Sequence, residues 1–138
     1  MASKAEQQTR AEFSERYRAR AAFDIMDDIE RRVLGEAWGA GGFTTVAEAG
    51  QLLERLDLSS GRRLLDLGAG FGWPGLYIAR ESGCEVVVTD MPLEGLQVAV
   101  GRAHAERVRS LGAVACSARH VPFAEGTFDA IVHTDVLC

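Results

Sequence analysis

Residues 64–75 read LLDLGAGFGWPG. An apolar run ends beyond Asp66, and glycines follow at every second position, Gly68, Gly70 and Gly72. Few backbones accept such a stretch. The run LLDL suits a buried strand. The glycines suit a turn that needs positive φ or close approach by another group. Pro74 suits the first turn of a helix, where its missing N–H costs nothing. A strand, a glycine turn and a helix in that order make the unit of a parallel α/β sheet. Ligands of such sheets bind outside the carboxyl ends of the strands. The turn is expected to offer unhindered backbone N–H groups there, beside the partial positive charge of a helix N-terminus.

The rest of the chain fits that unit. After residue 62, strand and helix signals alternate. RLLDL is a strand, 73–82 a helix, and CEVVVTD (84–90) a β-branched, apolar strand of the kind buried on both faces. Residues 93–111 read as a long helix with Leu93, Leu96, Val100, Ala103, Val108 and Leu111 on one side. AVACSA (113–118) is a third strand and FDAIVHTD (128–135) a fourth. Strands joined through helices or crossover-length segments form a parallel sheet. The fold class is therefore α/β, a Rossmann-like parallel sheet with flanking helices. Upstream, residues 1–40 are mostly helical, with Phe13, Tyr17, Phe23, Ile25, Met26, Ile29, Val33, Leu34 and Trp38 at helical spacing. A further helix starts at the T-x-x-E capping box of Thr45 and Glu48. The expected division is a helical extension, 1–42, and a sheet domain, 43–138.

The glycine spacing separates two ligand classes. Dinucleotide sites carry G-x-G-x-x-G/A, with a small third residue for helix–strand contact. Here that position is Trp73, which argues against a bound pyrophosphate and against a nicotinamide-dependent oxidoreductase. Asp90 closes the second strand, where a carboxylate can accept both hydroxyls of an unphosphorylated ribose. Together the residues describe a nucleoside-bearing cofactor without a diphosphate. Net charge is −5, which disfavours a nucleic-acid backbone or an anionic membrane as the partner. The three cysteines, Cys84, Cys116 and Cys138, lack disulfide or zinc spacing. They read as reduced thiols, two of them in buried strands, in a cytoplasmic protein. The polar N-terminus has no signal-peptide pattern, and no metal site is expected.

From about residue 41 onward the chain resembles the class I S-adenosylmethionine-dependent methyltransferases. LLDLGAGFG is similar to that family's D-x-G-x-G-x-G motif, VVVTDM to its second-strand motif, and VPFAEGTFDAIVHTDVL to its later motifs. The resemblance implies S-adenosyl-L-methionine as cofactor and a small-molecule methyl acceptor. It also implies roles by position. Gly68, Ala69 and Gly70 would hold the methionine moiety, and Asp66 would shape that loop and meet the amino group, directly or through water. Asp90 would take the ribose, Met91 would lie beside the adenine, and Thr134 near the methionine end. The Ser117-Ala118 pair stands where the family usually has Asp-Ala for the adenine amino group. GGFTT (41–45) resembles a segment that approaches the cofactor from the N-terminal side, with residues 1–40 as a partial lid. The family's sheet continues beyond its fourth strand. This chain stops at Cys138, which would leave an apolar edge on the fourth strand, so it is expected to be incomplete; the competing expectation is that a second copy covers this edge as a homodimer.

Methyl transfer from a sulfonium needs proximity and alignment more than acid–base help, so no catalytic residue is assigned. His133 is the best placed histidine for such help, although a partly buried, hydrogen-bonded histidine is the simpler reading. His104 reads as solvated and His120 lies in a loop. Asp135 either faces the acceptor or caps a turn, and Asp129 reads as structural. Trp73 reads as packing, while Phe71 walls or underlies the pocket. Arg102, Arg107 and Arg109 read as a solvated helix face. The competing function is a non-catalytic module that keeps the fold and works by association. The intact glycine turn and Asp90 favour ligand binding.

Overall fold

The computed structural model describes residues 2–23 and 25–136. Helices α1 (Lys4–Ala21), α2 (Ile25–Leu34) and α3 (Val46–Leu56) precede a strand–helix alternation of β1 (Arg63–Leu67), α4 (Gly75–Ser82), β2 (Glu85–Asp90), α5 (Leu93–Ala105), β3 (Ser110–Ala115) and β4 (Ala130–Val132). The strands form one parallel sheet in the order β3-β2-β1-β4. β1 is flanked on both sides, with Leu65 opposite Val87 and Ile131. Leu64, Val86 and Val88 in the strands meet Leu76 and Ile78 of α4 and Leu96 and Ala99 of α5 to make the core.

The capping box at Thr45 forms as expected: its Oγ1 accepts from Glu48 N, and its own N–H donates to Glu48 Oε2 at 2.8 Å. Ser3 and Glu6 form a second box at the start of α1.

Several boundaries differ from the sequence expectation. α4 starts at Gly75, with Pro74 as its cap residue, rather than at 73. α5 ends at Ala105, not 111. Val108 N–H turns back to Ala103 O, and Arg107 takes a left-handed φ of 54°. No glycine or proline marks that turn, so the apolar spacing of Val108 and Leu111 imitates a longer helix. β3 accordingly begins at Ser110 and ends at Ala115 instead of spanning 113–118. Leu111 is the extra residue of a bulge, since Val86 and Val87 face Ser110 and Gly112. β4 is shorter than 128–135: Asp129 N–H still bonds Arg63 O, but Asp135 at φ 57° turns the chain out of the strand.

Cys84 is buried just before β2, and Cys116 is half-buried just past β3. Neither lies within a strand as expected, and Cys138 lies outside the described residues. Arg102 is not solvated. Its side chain is buried, its Nη1 donates to Ala37 O at 2.6 Å, and its Nη2 lies 3.7 Å from Asp27. No helix among the described residues is long and apolar enough to cross a membrane.

Candidate functional site

A cleft of about 480 Å³ opens at the carboxyl ends of β1 and β4. Its floor is Gly68, Ala69, Gly70 and Phe71, one wall is Gly39, Gly41, Gly42 and Phe43, and the other is α1 through Phe13, Arg16, Tyr17 and Arg20. Thr134 and Asp135 close one end.

The glycine turn is built differently from the expectation of free N–H donors. Gly68 and Ala69 both donate to Thr89 O, at 2.8 and 2.9 Å, and Gly72 donates to Ala69 O. Gly70 N–H donates to Asp90 Oδ2 at 2.8 Å. The turn folds back over the end of β2, which uses its donors internally. What it offers a ligand is bare backbone without a Cβ. Gly70, at φ 53°, is where that freedom matters most: a Cβ there would come within 3.1 Å of the Tyr17 hydroxyl.

Asp90 is half-buried and central. Its Oδ1 accepts from Met91 N at 2.7 Å, and its Oδ2 accepts from Gly70 N and from the Tyr17 hydroxyl at 3.3 Å. Burial pushes its carboxyl above the ordinary range, against the pull of these donors. Burial and the neighbouring carboxylate raise the Tyr17 phenol in turn, so it stays a donor. Asp66 does not face the cleft. It is 1% exposed, and its Oδ2 accepts from Gly75 N at 2.8 Å, tying the end of β1 to the start of α4. Burial raises it to about 8, so at neutral pH it is mostly an uncharged acid.

Ser117 is half-buried and committed to α1. Its hydroxyl donates to Glu6 Oε1 at 2.6 Å, which helps hold Glu6 down at about 2. Ala118 is exposed, and Met91 is half-buried beside Asp90. Of the residues expected at the site, Gly68, Ala69, Gly70 and Thr134 line the cleft; Asp90 is outside its lining but bonded to Gly70 and Tyr17, which are part of it, and Met91, Ser117 and Ala118 are outside it. His133, His104 and His120 are exposed and line neither cavity.

Asp135 is a staple. Its Oδ2 accepts from Phe43 N, Thr44 N and Thr44 Oγ1, binding the N-terminal wall to the end of β4. Trp73 is buried, donates from Nε1 to Thr44 O at 3.0 Å and packs on Tyr77, yet also borders the cleft. A second cavity of about 350 Å³ adjoins at Phe43, Thr134 and Asp135 and is lined further by Glu48, Gln51 and Arg55. No cluster able to hold a metal ion occurs among the described residues.

The sequence reading missed how the wall is held. Glu30, 7% exposed, accepts from Trp38 N, Gly39 N and Ala40 N at 2.8–3.0 Å. α2 thus turns a carboxylate inward and leaves Ile25, Ile29 and Val33 outside. The contacts of Tyr17 and Arg20 with the cleft had no spacing signal either, since both look like ordinary residues of a polar helix.

Residues 64–138 match a family profile described as a methyltransferase domain. The chain is 37% identical over 92 residues to methyltransferase GfsG of Streptomyces halstedii, covering 62% of this chain and 33% of that protein. It is 32% identical over 108 residues to phosphoethanolamine N-methyltransferase 1 of Triticum aestivum, covering 77% and 21%. Among solved structures it is similar to Haemonchus contortus phosphoethanolamine N-methyltransferase 2 in complex with phosphomonomethylethanolamine and S-adenosylhomocysteine. That likeness has a TM-score of 0.59 at 29% identity, over 66% of this chain and 22% of the other. The chain thus spans a third or less of the length of these curated relatives.

Proposed function

Since the chain belongs to the class I S-adenosylmethionine-dependent methyltransferases, we propose that it binds S-adenosyl-L-methionine in the cleft over Gly68–Gly70 and takes part in methyl transfer to a small-molecule acceptor. The observation that carries this is Asp90, half-buried at the end of β2 with its carboxylate on the glycine turn. A carboxylate there accepts ribose hydroxyls, and the bare turn beside it admits the chain that follows the ribose. The cleft is large enough and polar at the required edge, so the residues fit such a group.

When bound, the cofactor supplies an electrophilic methyl group with its leaving group already attached. The protein's part is to hold and orient. Asp90 fixes the ribose edge, with Tyr17 and Gly70 N–H holding its carboxylate in place. Gly68, Ala69, Gly70 and Thr134 shape the channel towards the methyl end. Met91, Ser117 and Ala118 border the adenine side, where α1 lies across Ser117. Asp66 acts from behind the turn, by fixing β1 to α4. Orientation of this kind converts a bimolecular encounter into an aligned one, and no general base is needed where the acceptor atom already has a free lone pair.

In this reading residues 1–42 cover the cleft and 43–138 form the cofactor-binding unit. The acceptor is small because the adjoining 350 Å³ cavity is of small-molecule size. Free Cys84 and Cys116 accord with a cytoplasmic setting.

The test is calorimetric titration with S-adenosylhomocysteine. The chain should bind it, and Asp90→Asn, which keeps the shape but removes one acceptor oxygen and the charge, should weaken binding by about tenfold or more. Equal affinity in both proteins would remove the ribose assignment.

A further inference from the structure

Arg20 is an unusual side chain for the wall of a cleft. It is 23% exposed, and its Nε is buried without a hydrogen-bond partner among the described residues. Its nearest carboxylate, Glu30, lies 3.9 Å away and already accepts three backbone N–H groups. The guanidinium rests 5.2 Å from the centre of the Phe71 ring, and a Cβ on Gly41 would collide with its Nη1. So a forked donor that suits carboxylates sits between the glycine turn and the glycine wall, with no hydrogen bond to its Nε among the described residues.

Its place along the ligand is set by its neighbour on α1. Tyr17 and Arg20 are three residues apart and share one face of the helix. Tyr17 marks the Asp90 edge of the cleft. Arg20 stands about 4.5 Å further along the helix axis. The cleft therefore has a basic wall, Arg20 with exposed Arg16 beside it, and the carboxylate of Asp90 lies behind Tyr17 and Gly70, which line it. The other acid at the cleft, Asp135, is bound to Phe43 and Thr44. Such a site suits a ligand with hydroxyls at one end and a carboxylate at the other.

Resting on the cofactor reading above, we propose that Arg20 is the receptor for the carboxylate of the cofactor's amino-acid moiety. Arg20 forms a charge-assisted pair with that group, and α1 thereby becomes part of the binding site as well as its cover. Arg20 lines the same cleft as the glycine turn, which assigns the anion to the same ligand rather than to an acceptor.

The test is a two-by-two comparison by calorimetry. The ligands are S-adenosylhomocysteine and its decarboxylated analogue, which differ only in the carboxylate. The proteins are the unaltered chain and Arg20→Gln, with Arg20→Lys as a third variant that keeps the charge. The unaltered chain should prefer S-adenosylhomocysteine by about tenfold or more. Arg20→Gln should bind both ligands alike, at the affinity the unaltered chain has for the analogue, and Arg20→Lys should restore part of the preference. If Arg20→Gln weakens both ligands equally, Arg20 only supports the wall and the proposal is wrong. It is equally wrong if the preference survives in Arg20→Gln. Failure of the unaltered chain to bind either ligand would overturn the cofactor reading itself, an outcome distinct from the other two.

Discussion

Asp66→Asn should gain stability over the unaltered protein progressively as pH rises from about 4 to about 8, so that its advantage is far larger at pH 8 than at pH 5. The buried carboxyl of Asp66 titrates at about 8 in the fold, against an ordinary value of 3.8. Desolvation is the main cause, opposed by the Gly75 N–H. The fold therefore holds a proton that the unfolded chain releases. Stability from this group is full below about pH 4 and is lost as pH rises through about 8. Each unit is worth about 1.4 kcal/mol, so the loss between pH 5 and 8 comes to roughly 3–4 kcal/mol. Asparagine has the size of the neutral acid and a carbonyl to accept from Gly75, and it cannot ionise. Urea unfolding of both proteins at intervals from pH 5 to 8 measures the difference. Asp90, also raised by burial, adds a slope of the same sign to both proteins, and its charge is one of the causes that raise Asp66. Glu6, Glu48 and Asp129, all shifted down, contribute with the opposite sign and equally to both proteins. Parallel curves for Asp66→Asn and the unaltered chain would refute the buried neutral acid.

Two further substitutions probe the frame. Gly75→Ala should cost about 1–3 kcal/mol in thermal unfolding, because its Cβ would lie 2.6 Å from the Cβ of Asp66; a stabilised variant would mean that β1 and α4 have room to part. Thr45→Ala should cost about 1 kcal/mol by removing the cap on Glu48 N, and a null result in denaturant melts would show the start of α3 to be held by other contacts.

The sheet was legible because its signals are local. Val86–Val88 are buried on both faces and appear as an unbroken apolar run, and β1 reads the same way apart from its buried Asp66. Gly68, Gly70 and Gly72 all take positive φ, which marks the turn in the sequence itself. The α5–β3 junction was less legible because Arg107 makes its left-handed turn without a glycine. The direction of the loop's N–H groups could not be read at all, since Thr89 O captures them through strand neighbours. The N-terminal third was the hardest part. Periodicity locates α2 but favours an apolar inner face, whereas three N–H groups at Trp38–Ala40 demand a carboxylate there. That demand arises from a bend in the chain, and composition carries no trace of it.

Helix α1 has no buried residue, and its bonds run to Asp90, Glu94 and Ser117, which lie 73, 76 and 111 positions later in the sequence. During synthesis it leaves the ribosome before any of these partners is made. It must wait, exposed and held only by its own backbone, until β2 and β3 have assembled behind it. Its docking closes the longest loops in the molecule, so it comes late in folding, and the same contacts are the first to open in the native state. A segment made before its partners thus docks after them, and the cleft gains its outer wall only once β2 and β3 beneath it have formed.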